Sequence, residues 1–362
     1  MDSNRGVFLT GATGVVGSYL LKILLEKGCK VFCLSRGKKG KTARQRVEDV
    51  LNFWDAAVSA KHAGRLIVVE GDIVEENLGL DKRTVDLLNN EVEQIFHSAA
   101  VTEFSWALDD IRKVNVGGTK NVLDLALTWQ KNGKLERVNH ISTAYVCGDY
   151  KGVFTENDLD MGQGFNTTYE QSKYEAEKLV NEYRKKELWI DVFRPSMVVG
   201  DSRNGKILEF NNIYMLLSTA SLGIFDVLPC LGLNVSLTPI DLSVEALYLF
   251  SQCSIARNKT YHIFPLNPVS FVKLIEYIAK RTGNKMPDCI SLPQMKVDIL
   301  TPVQRKIFEN SFLFLNPQVE LDSTYTNRIL RQCGGEYLEF NQEPFWEYFR
   351  NKGRSYRRSK DK

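Results

Sequence analysis

Over the first two hundred residues, short apolar runs alternate with longer stretches in which apolar positions recur every three or four residues. That rhythm predicts buried parallel strands joined by amphipathic helices, an α/β sheet wound on both faces. The strand-like runs are Val7–Thr10, Lys30–Ser35, Leu66–Glu70, Val92–His97, Arg137–Ser142 and Ile190–Arg194. Ser18–Lys27 sets Leu20, Leu21, Leu24 and Leu25 on one stripe, and Gly28 stops it. Ala43–Ala60, Asn115–Gln130 (with Val122, Leu123 and Leu127) and Tyr169–Lys185 are the other helical stretches.

Beyond Arg194-Pro195 the rhythm breaks. Leu237–Ser251 reads as a strand and helix returning to the first unit, and Thr260–Gly283 as strand, turn and helix. The expected organisation is a first domain over residues 1–200 with a return segment at about 236–264. Residues 201–235 and 265–362 then make a smaller, interleaved lobe that ends in a basic tail.

Length and composition fit this reading. The chain has 362 residues, 43% hydrophobic and 25% charged, enough for a large core and unlike a disordered or fibrous protein. The longest apolar-leaning stretch, Ile213–Phe225, contains Ser218, Thr219 and Ser221 and is too short and polar to span a bilayer. A strand-like run starting at Val7 leaves no room for a secretory signal, so a cytoplasmic protein is expected. Seven scattered cysteines without Cys-x-x-Cys spacing are expected to be reduced and structural, and no metal site is expected. The net charge of +3 conceals a tail, Arg350 to Lys362, with seven basic residues and one Asp. The body is slightly acidic, which argues against nucleic-acid binding.

The chemistry begins at Thr10-Gly11-Ala12-Thr13-Gly14-Val15-Val16-Gly17, between the first strand and its helix. Glycines Gly11, Gly14 and Gly17 in that context let a dinucleotide pyrophosphate approach backbone amides at the positive end of a helix. The second strand ends Ser35-Arg36-Gly37-Lys38-Lys39, without the carboxylate that would bind a ribose 2′-hydroxyl. Arg36 can instead fork onto a 2′-phosphate, so NADPH is expected rather than NADH. Asp72 in Gly71-Asp72-Ile73 can accept from the adenine amino group, and Ser98, Ala99 and Ala100 are small enough for backbone to lie along the cofactor.

Reducing a carbonyl requires a proton donor where negative charge appears on oxygen. Tyr169 and Lys173, one helical turn apart, suit that task, with the Lys173 ammonium expected to lower the phenol pKa. Thr143, 26 residues upstream at a strand end, can hold the substrate oxygen.

With these residues assembled, the chain resembles the extended short-chain dehydrogenase/reductases, most specifically over residues 7–205. Phe96-His97-Ser98-Ala99-Ala100, His140-Ile141-Ser142-Thr143-Ala144-Tyr145-Val146 and Arg194-Pro195-Ser196-Met197-Val198-Val199-Gly200-Asp201-Ser202 resemble its thioester-reductase branch. That branch includes the reductase domains of carboxylic acid reductases and nonribosomal peptide synthetases, and fatty acyl reductases. The resemblance implies a Rossmann-type NADP-binding domain and a catalytic set of Thr143, Tyr169 and Lys173, ordered by Asn115. It also places Thr13, Val15, Val16, Ile73, Pro195 and Ser196 against the cofactor. The implied reaction is NADPH-dependent reduction of an acyl thioester to an aldehyde, sometimes on to an alcohol. The acyl group would be held on coenzyme A or on a phosphopantetheinyl carrier protein acting in trans, a setting typical of natural product biosynthesis. A nucleotide-sugar epimerase or dehydratase, a simple carbonyl reductase and a non-catalytic NADP-binding protein are the alternatives on the same scaffold.

Overall fold

The computed structural model describes residues 5–210, 212–311, 318–336, 338–341, 343–344 and 347; the tail from Arg350 to Lys362 lies outside them. The first half runs β1 (Gly6–Thr10), α1 (Val15–Glu26), β2 (Lys30–Ser35), α2 (Ala43–Trp54), α3 (Ala56–Lys61), β3 (Leu66–Glu70), α4 (Lys82–Glu91), β4 (Gln94–His97), α5 (Leu108–Arg112), α6 (Gly118–Asn132), β5 (Arg137–Ile141), β6 (Gly152–Phe154), α7 (Thr168–Lys185) and β7 (Ile190–Pro195). Then follow β8 (Met197–Val199), α8 (Asn212–Ser221), β9 (Val227–Leu231), β10 (Asn234–Val235), β11 (Leu237–Pro239), α9 (Ile240–Gln252), β12 (Thr260–Ile263), β13 (Val269–Ser270), α10 (Phe271–Thr282), β14 (Asp288–Ser291), α11 (Pro302–Ser311), β15 (Val319–Leu321) and α12 (Thr324–Gln332).

Seven strands form one sheet in the order β12-β7-β5-β4-β1-β2-β3, every pairing parallel. This is the doubly wound Rossmann-type sheet that the alternating pattern predicts. Strands β1, β5 and β7 are buried end to end on both faces, and the charged residues that β5 and β7 carry are paired inside, Arg137 with Asp191 and Arg194 with Glu177. One face packs α1, α2, α9 and α12 around Leu20, Leu24, Val47, Leu247 and Leu330. The other packs α4, α6 and α7 around Leu88, Val122, Trp129 and Val180. A third cluster fills the lobe, with Ile213, Leu217, Leu228, Leu274 and Ile278 from α8, β9 and α10.

The sheet reverses its winding between β1 and β4, so their carboxyl ends open a crevice where ligands bind in such folds. The turn entering that crevice depends on two glycines. Gly11 has φ +74°, and a Cβ there would sit 2.5 Å from the Ala99 nitrogen; a Cβ on Gly17 would sit 2.1 Å from the Gly11 oxygen. Side chains at either position would push β1, α1 and the segment after β4 apart.

The structure departs from the sequence expectations in four places. Residues 82–91 form α4, which the pattern left unassigned because among its described residues only Leu88 is fully buried. Its signal was the cap: Asp81 accepts the Thr84 N–H. Asn115 does not open a helix but sits in a π-helical turn, Lys113–Gly117, between α5 and α6. Ile329, Leu330 and Leu338, expected with the lobe, pack into the cluster around α1 and α9. Finally, the cysteines are not all free thiols. Because β14 lies parallel to β9, Cys289 meets Cys230 with Cα atoms 5.5 Å apart, and the C-terminal ends of α9 and α12 bring Cys253 within 5.8 Å of Cys333. Both pairs are disulfides; Cys29, Cys33 and Cys147 remain free and buried. Separations of 59 and 80 residues hide such pairings from a reading of spacing.

No helix among the described residues is long and apolar enough to cross a membrane. No described cluster of His, Cys, Asp and Glu could hold a metal ion.

Candidate active site

A cleft of about 720 Å³ runs along the carboxyl ends of β1, β2, β4, β5 and β7 and under α8. It is lined by the glycine turn with Thr13, Val15 and Val16, by Arg36, by Asp72 and Ile73, and by Ser98, Ala99 and Ala100. Thr143, Tyr169, Lys173, Pro195 and Ser196 line it as well. Gly17 and Asn115 are outside the lining and act from behind it: Gly17 through close packing, Asn115 through hydrogen bonds.

At the β2 end, Arg36 is ion-paired with Asp72, so two residues assigned separate tasks from sequence hold each other. Arg46 of α2, overlooked in the sequence, donates to the Arg36 carbonyl at 2.6 Å and to Thr13 Oγ1 at 3.0 Å. Arg46 and Lys38 also line the cleft. Burial and the Arg36 charge pull the Arg46 pKa down. Two guanidiniums and an ammonium thus converge where the second strand stops. The signal for Arg46 lies ten residues past Arg36, in the first turn of the next helix, which only folding brings back.

Behind the floor, Thr10 Oγ1 meets His97 Nδ1 at 2.7 Å, and His97 Nε2 meets Thr119 Oγ1 at 3.0 Å. Burial, aided by Lys173, pushes His97 down to about 3, so it is a neutral packing group. The same Thr10 hydroxyl accepts the Ala99 N–H, fixing the segment after β4.

Helix α7 begins with a capping box in which Thr167 and Glu170 exchange side-chain and backbone bonds. The cap places Tyr169 in the first turn and Lys173 one turn on. Tyr169 and Thr143 line the same cleft, and the Tyr169 ring lies 6.0 Å from that of Phe104. Lys173 Nζ donates to the Ile141 carbonyl at 2.9 Å. Thr143 caps the turn after β5, its Oγ1 accepting the Tyr145 N–H at 3.3 Å.

The electrostatics differ from the expectation that Lys173 lowers the Tyr169 pKa. Burial dominates and pushes Tyr169 up to about 12, opposed by the Thr143 hydroxyl. Burial also pulls Lys173 down to about 8, opposed by Glu177. A buried ammonium that spends a proton on a carbonyl offers less to a phenolate than one free to approach it.

Ser142 is a further residue that sequence reasoning passed over. It lines the cleft beside Thr143, is buried, and its hydroxyl has no hydrogen-bond partner among the described residues. Ser196, by contrast, spends its hydroxyl on the Ser236 carbonyl at 2.6 Å. Phe104, Tyr145, Met197, Phe210, Ile213 and Met215 complete the wall nearest Tyr169 and α8. No spacing signal marks them.

Comparison with known proteins places this geometry. A carboxylic acid reductase from Segniliparus rugosus is 30% identical over 295 residues, spanning 73% of this chain and 24% of the relative. Three other curated relatives, all nonribosomal peptide synthetases or synthase subunits, are longer too, and the chain spans 5% to 26% of their length. Among solved structures, the terminal R domain of the myxalamid PKS-NRPS pathway superposes with a TM-score of 0.81 at 25% identity, over 96% of this chain and 90% of that one. A thiolation-reductase di-domain from an archaeal nonribosomal peptide synthetase superposes with a TM-score of 0.81 at 22% identity, over 97% of this chain and 75% of that one, and so shares the fold. A family model described as "Male sterility protein", of the NAD-binding kind, matches residues 9–247, and the chain belongs to that family.

Proposed function

We propose that the protein is an NADPH-dependent reductase that converts an acyl thioester to an aldehyde, the acyl group arriving on a carrier protein's phosphopantetheine arm. The observation that carries this reading is the single cleft joining the glycine turn and the basic β2 end to Thr143, Tyr169 and Lys173. Residues 1–200 with the return at 236–264 would hold the cofactor, and the lobe of 201–235 and 265–362 the acyl group.

The residues fit a phosphorylated dinucleotide. Gly14 caps α1 without a side chain, so first-turn amides are left for a pyrophosphate. Arg36, Arg46 and Lys38 suit a 2′-phosphate, and the nearby Asp72 is already neutralised by Arg36. When bound, the cofactor supplies a hydride to the thioester carbon. Thr143 holds the carbonyl oxygen and Tyr169 donates its phenolic proton as charge develops there. Asn115 and Ser172 keep Tyr169 and Lys173 in register. Breakdown of the resulting hemithioacetal breaks the C–S bond and frees thiol and aldehyde.

Support for reduction of an acyl group comes from a relative named carboxylic acid reductase, and support for a carrier-bound substrate from a neighbour of the same fold whose reductase is joined to a thiolation unit. Action in trans on a separate carrier, in the cytoplasm, is part of the proposal. The test is NADPH absorbance measured in parallel with an acyl-CoA, a carrier-bound acyl thioester and a UDP-sugar. Loss of absorbance with the carrier thioester, and aldehyde recovered, is expected; turnover of the UDP-sugar alone would overturn the reading.

A further inference from the structure

A second cavity, of about 550 Å³, adjoins the cleft and shares Arg36, Val74 and Val114 with it. The sheet fixes where its floor lies. Arg36 directly follows β2 and is ion-paired with Asp72, two residues past β3, and Asp72 Oδ1 accepts the Val74 N–H at 3.3 Å. Strands β2 and β3 close one edge of the sheet, with β1 and β4 between them and β5, the strand that leads to Thr143. The floor therefore belongs to the end of the crevice away from the reacting centre.

The segment after β4 supplies another wall: Trp106 lines this cavity together with Arg36 and Val74. The segment is pinned along its length. Asn115 holds Val101, the Trp106 carbonyl accepts the Thr168 hydroxyl at 3.0 Å, and the Trp106 indole N–H donates to Glu103 at 3.3 Å. Trp106 and Val74 nevertheless stay 38% and 37% exposed, although both are large apolar side chains. At the rim Lys113 pairs with Asp110 at 2.8 Å, so these two cancel. Arg36, paired on one side with Asp72, still has 57% of its side chain exposed. The cavity thus combines an indole held in place, an open valine and a guanidinium with donors to spare.

A flat heterocycle that carries a phosphate matches that combination, its ring against apolar side chains and its anion on the guanidinium. We propose that Trp106 is a cofactor-binding residue: its indole covers the adenosine portion of the dinucleotide, across from Val74 and beside the 2′-phosphate that Arg36 holds. This rests on the NADPH reading above.

Binding is measured by calorimetry on the full chain with adenosine 2′,5′-bisphosphate, the nucleotide end of NADPH, and with its 3′,5′ isomer, the nucleotide end of coenzyme A. Trp106→Ala should weaken the 2′,5′ compound about 10-fold, within the range for a base stacked on an aromatic side chain, and Trp106→Phe less than about 3-fold. Tryptophan emission is a second readout that a merely structural role would not move. Saturation with the 2′,5′ compound should quench the wild type, and Trp106→Phe, equally saturated, should lose most of that quenching. Unchanged quenching in Trp106→Phe, or weaker binding in Arg36→Ala with none in Trp106→Ala, would overturn the proposal and leave the NADPH reading standing. A Trp106 dependence confined to the 3′,5′ isomer would overturn it as well, in favour of the coenzyme A nucleotide. Failure of both the 2′,5′ compound and NADPH to bind the wild type would bring down the cofactor reading itself, and the proposal with it.

Discussion

The amide nitrogen of Asn115 donates to the Ser172 hydroxyl at 2.9 Å, and that hydroxyl donates in turn to the Tyr169 carbonyl at 2.9 Å. The same side chain clasps the backbone of one residue on both sides, accepting from the Val101 N–H at 2.8 Å and donating to the Val101 carbonyl at 3.0 Å. One buried amide thus locks the first turn of α7 to the segment that presents Phe104. π-Helical turns recur at functional sites because the extra residue redirects one side chain, here Asn115.

Asn115→Asp keeps the acceptor for Val101 but loses both donations, and should lower kcat on the order of 10- to 100-fold through misplacement of Tyr169. The Kd for NADPH should change far less. An equal loss in kcat and cofactor affinity, tracked with thermal stability, would reduce Asn115 to a structural role.

Tyr169→Phe removes the proton donor alone, so turnover should drop by on the order of 10²-fold while NADPH titration stays near wild type. Wild-type turnover in this variant would remove Tyr169 from the mechanism.

Arg36→Ala and Arg46→Ala should each weaken NADPH and leave NADH little changed, by roughly 1.5–3 kcal/mol for a charged hydrogen bond to phosphate. Arg36 should fall at the lower end, because in the free protein it already pairs with Asp72. Equal losses for both cofactors would show that neither residue reads the 2′-phosphate.

Lys173 sits at about 8 in the folded protein, below an ordinary lysine near 10.4. If its charge supports catalysis, kcat should fall as pH rises through about 8, and Lys173→Met should lack that limb. Stability follows the opposite sense. Between the folded and unfolded pKa values the unfolded chain binds more protons, so the penalty of burying Lys173 is full below about pH 8 and shrinks as pH approaches 10.4. Lys173→Met should therefore stabilise the protein more at pH 7 than at pH 10. Denaturant melts at both pH values would show a constant difference if burial of the charge were unimportant.

Thiol titration of the unfolded, unreduced protein should find three of the seven cysteines, those at 29, 33 and 147. Seven would mean that the Cys230–Cys289 and Cys253–Cys333 pairs are reduced in the isolated protein. The answer bears on the cellular setting, since such bonds seldom persist in a reducing cytoplasm.

What could be read from the chain was what repeats or what sits at fixed spacing. The six strand-like runs all became strands of the main sheet, since each is short and carries β-branched or aromatic residues, and all but the edge strand Leu66–Glu70 are largely buried on both faces, even where, as in Arg137–Ser142, polar residues interrupt the apolar ones. Tyr169 and Lys173 were visible because one helical turn joins them. Arg46 and Ser142 were not. Arg46 reaches the cleft only after α2 folds back over β2, and a lone serine beside Thr143 looks like any polar strand end. The pKa of Tyr169 was misjudged for a related reason: spacing reveals a neighbouring charge but not the depth at which both groups are buried.

The seventh strand of the sheet, β12, is supplied by residues 260–263, long after the chain has left to build part of the lobe. Helix α9, immediately upstream, packs on α1, whose first turn faces the cleft. A break anywhere between residues 200 and 260 would strip the sheet of an edge and uncover Phe193 and Phe250, which stack with Tyr261. Genetic exchange that moved only the first two hundred residues into another protein would deliver an unfinished sheet. A new host chain would gain the complete sheet only if the segment through residue 263 travelled with the first two hundred residues, as one indivisible cassette.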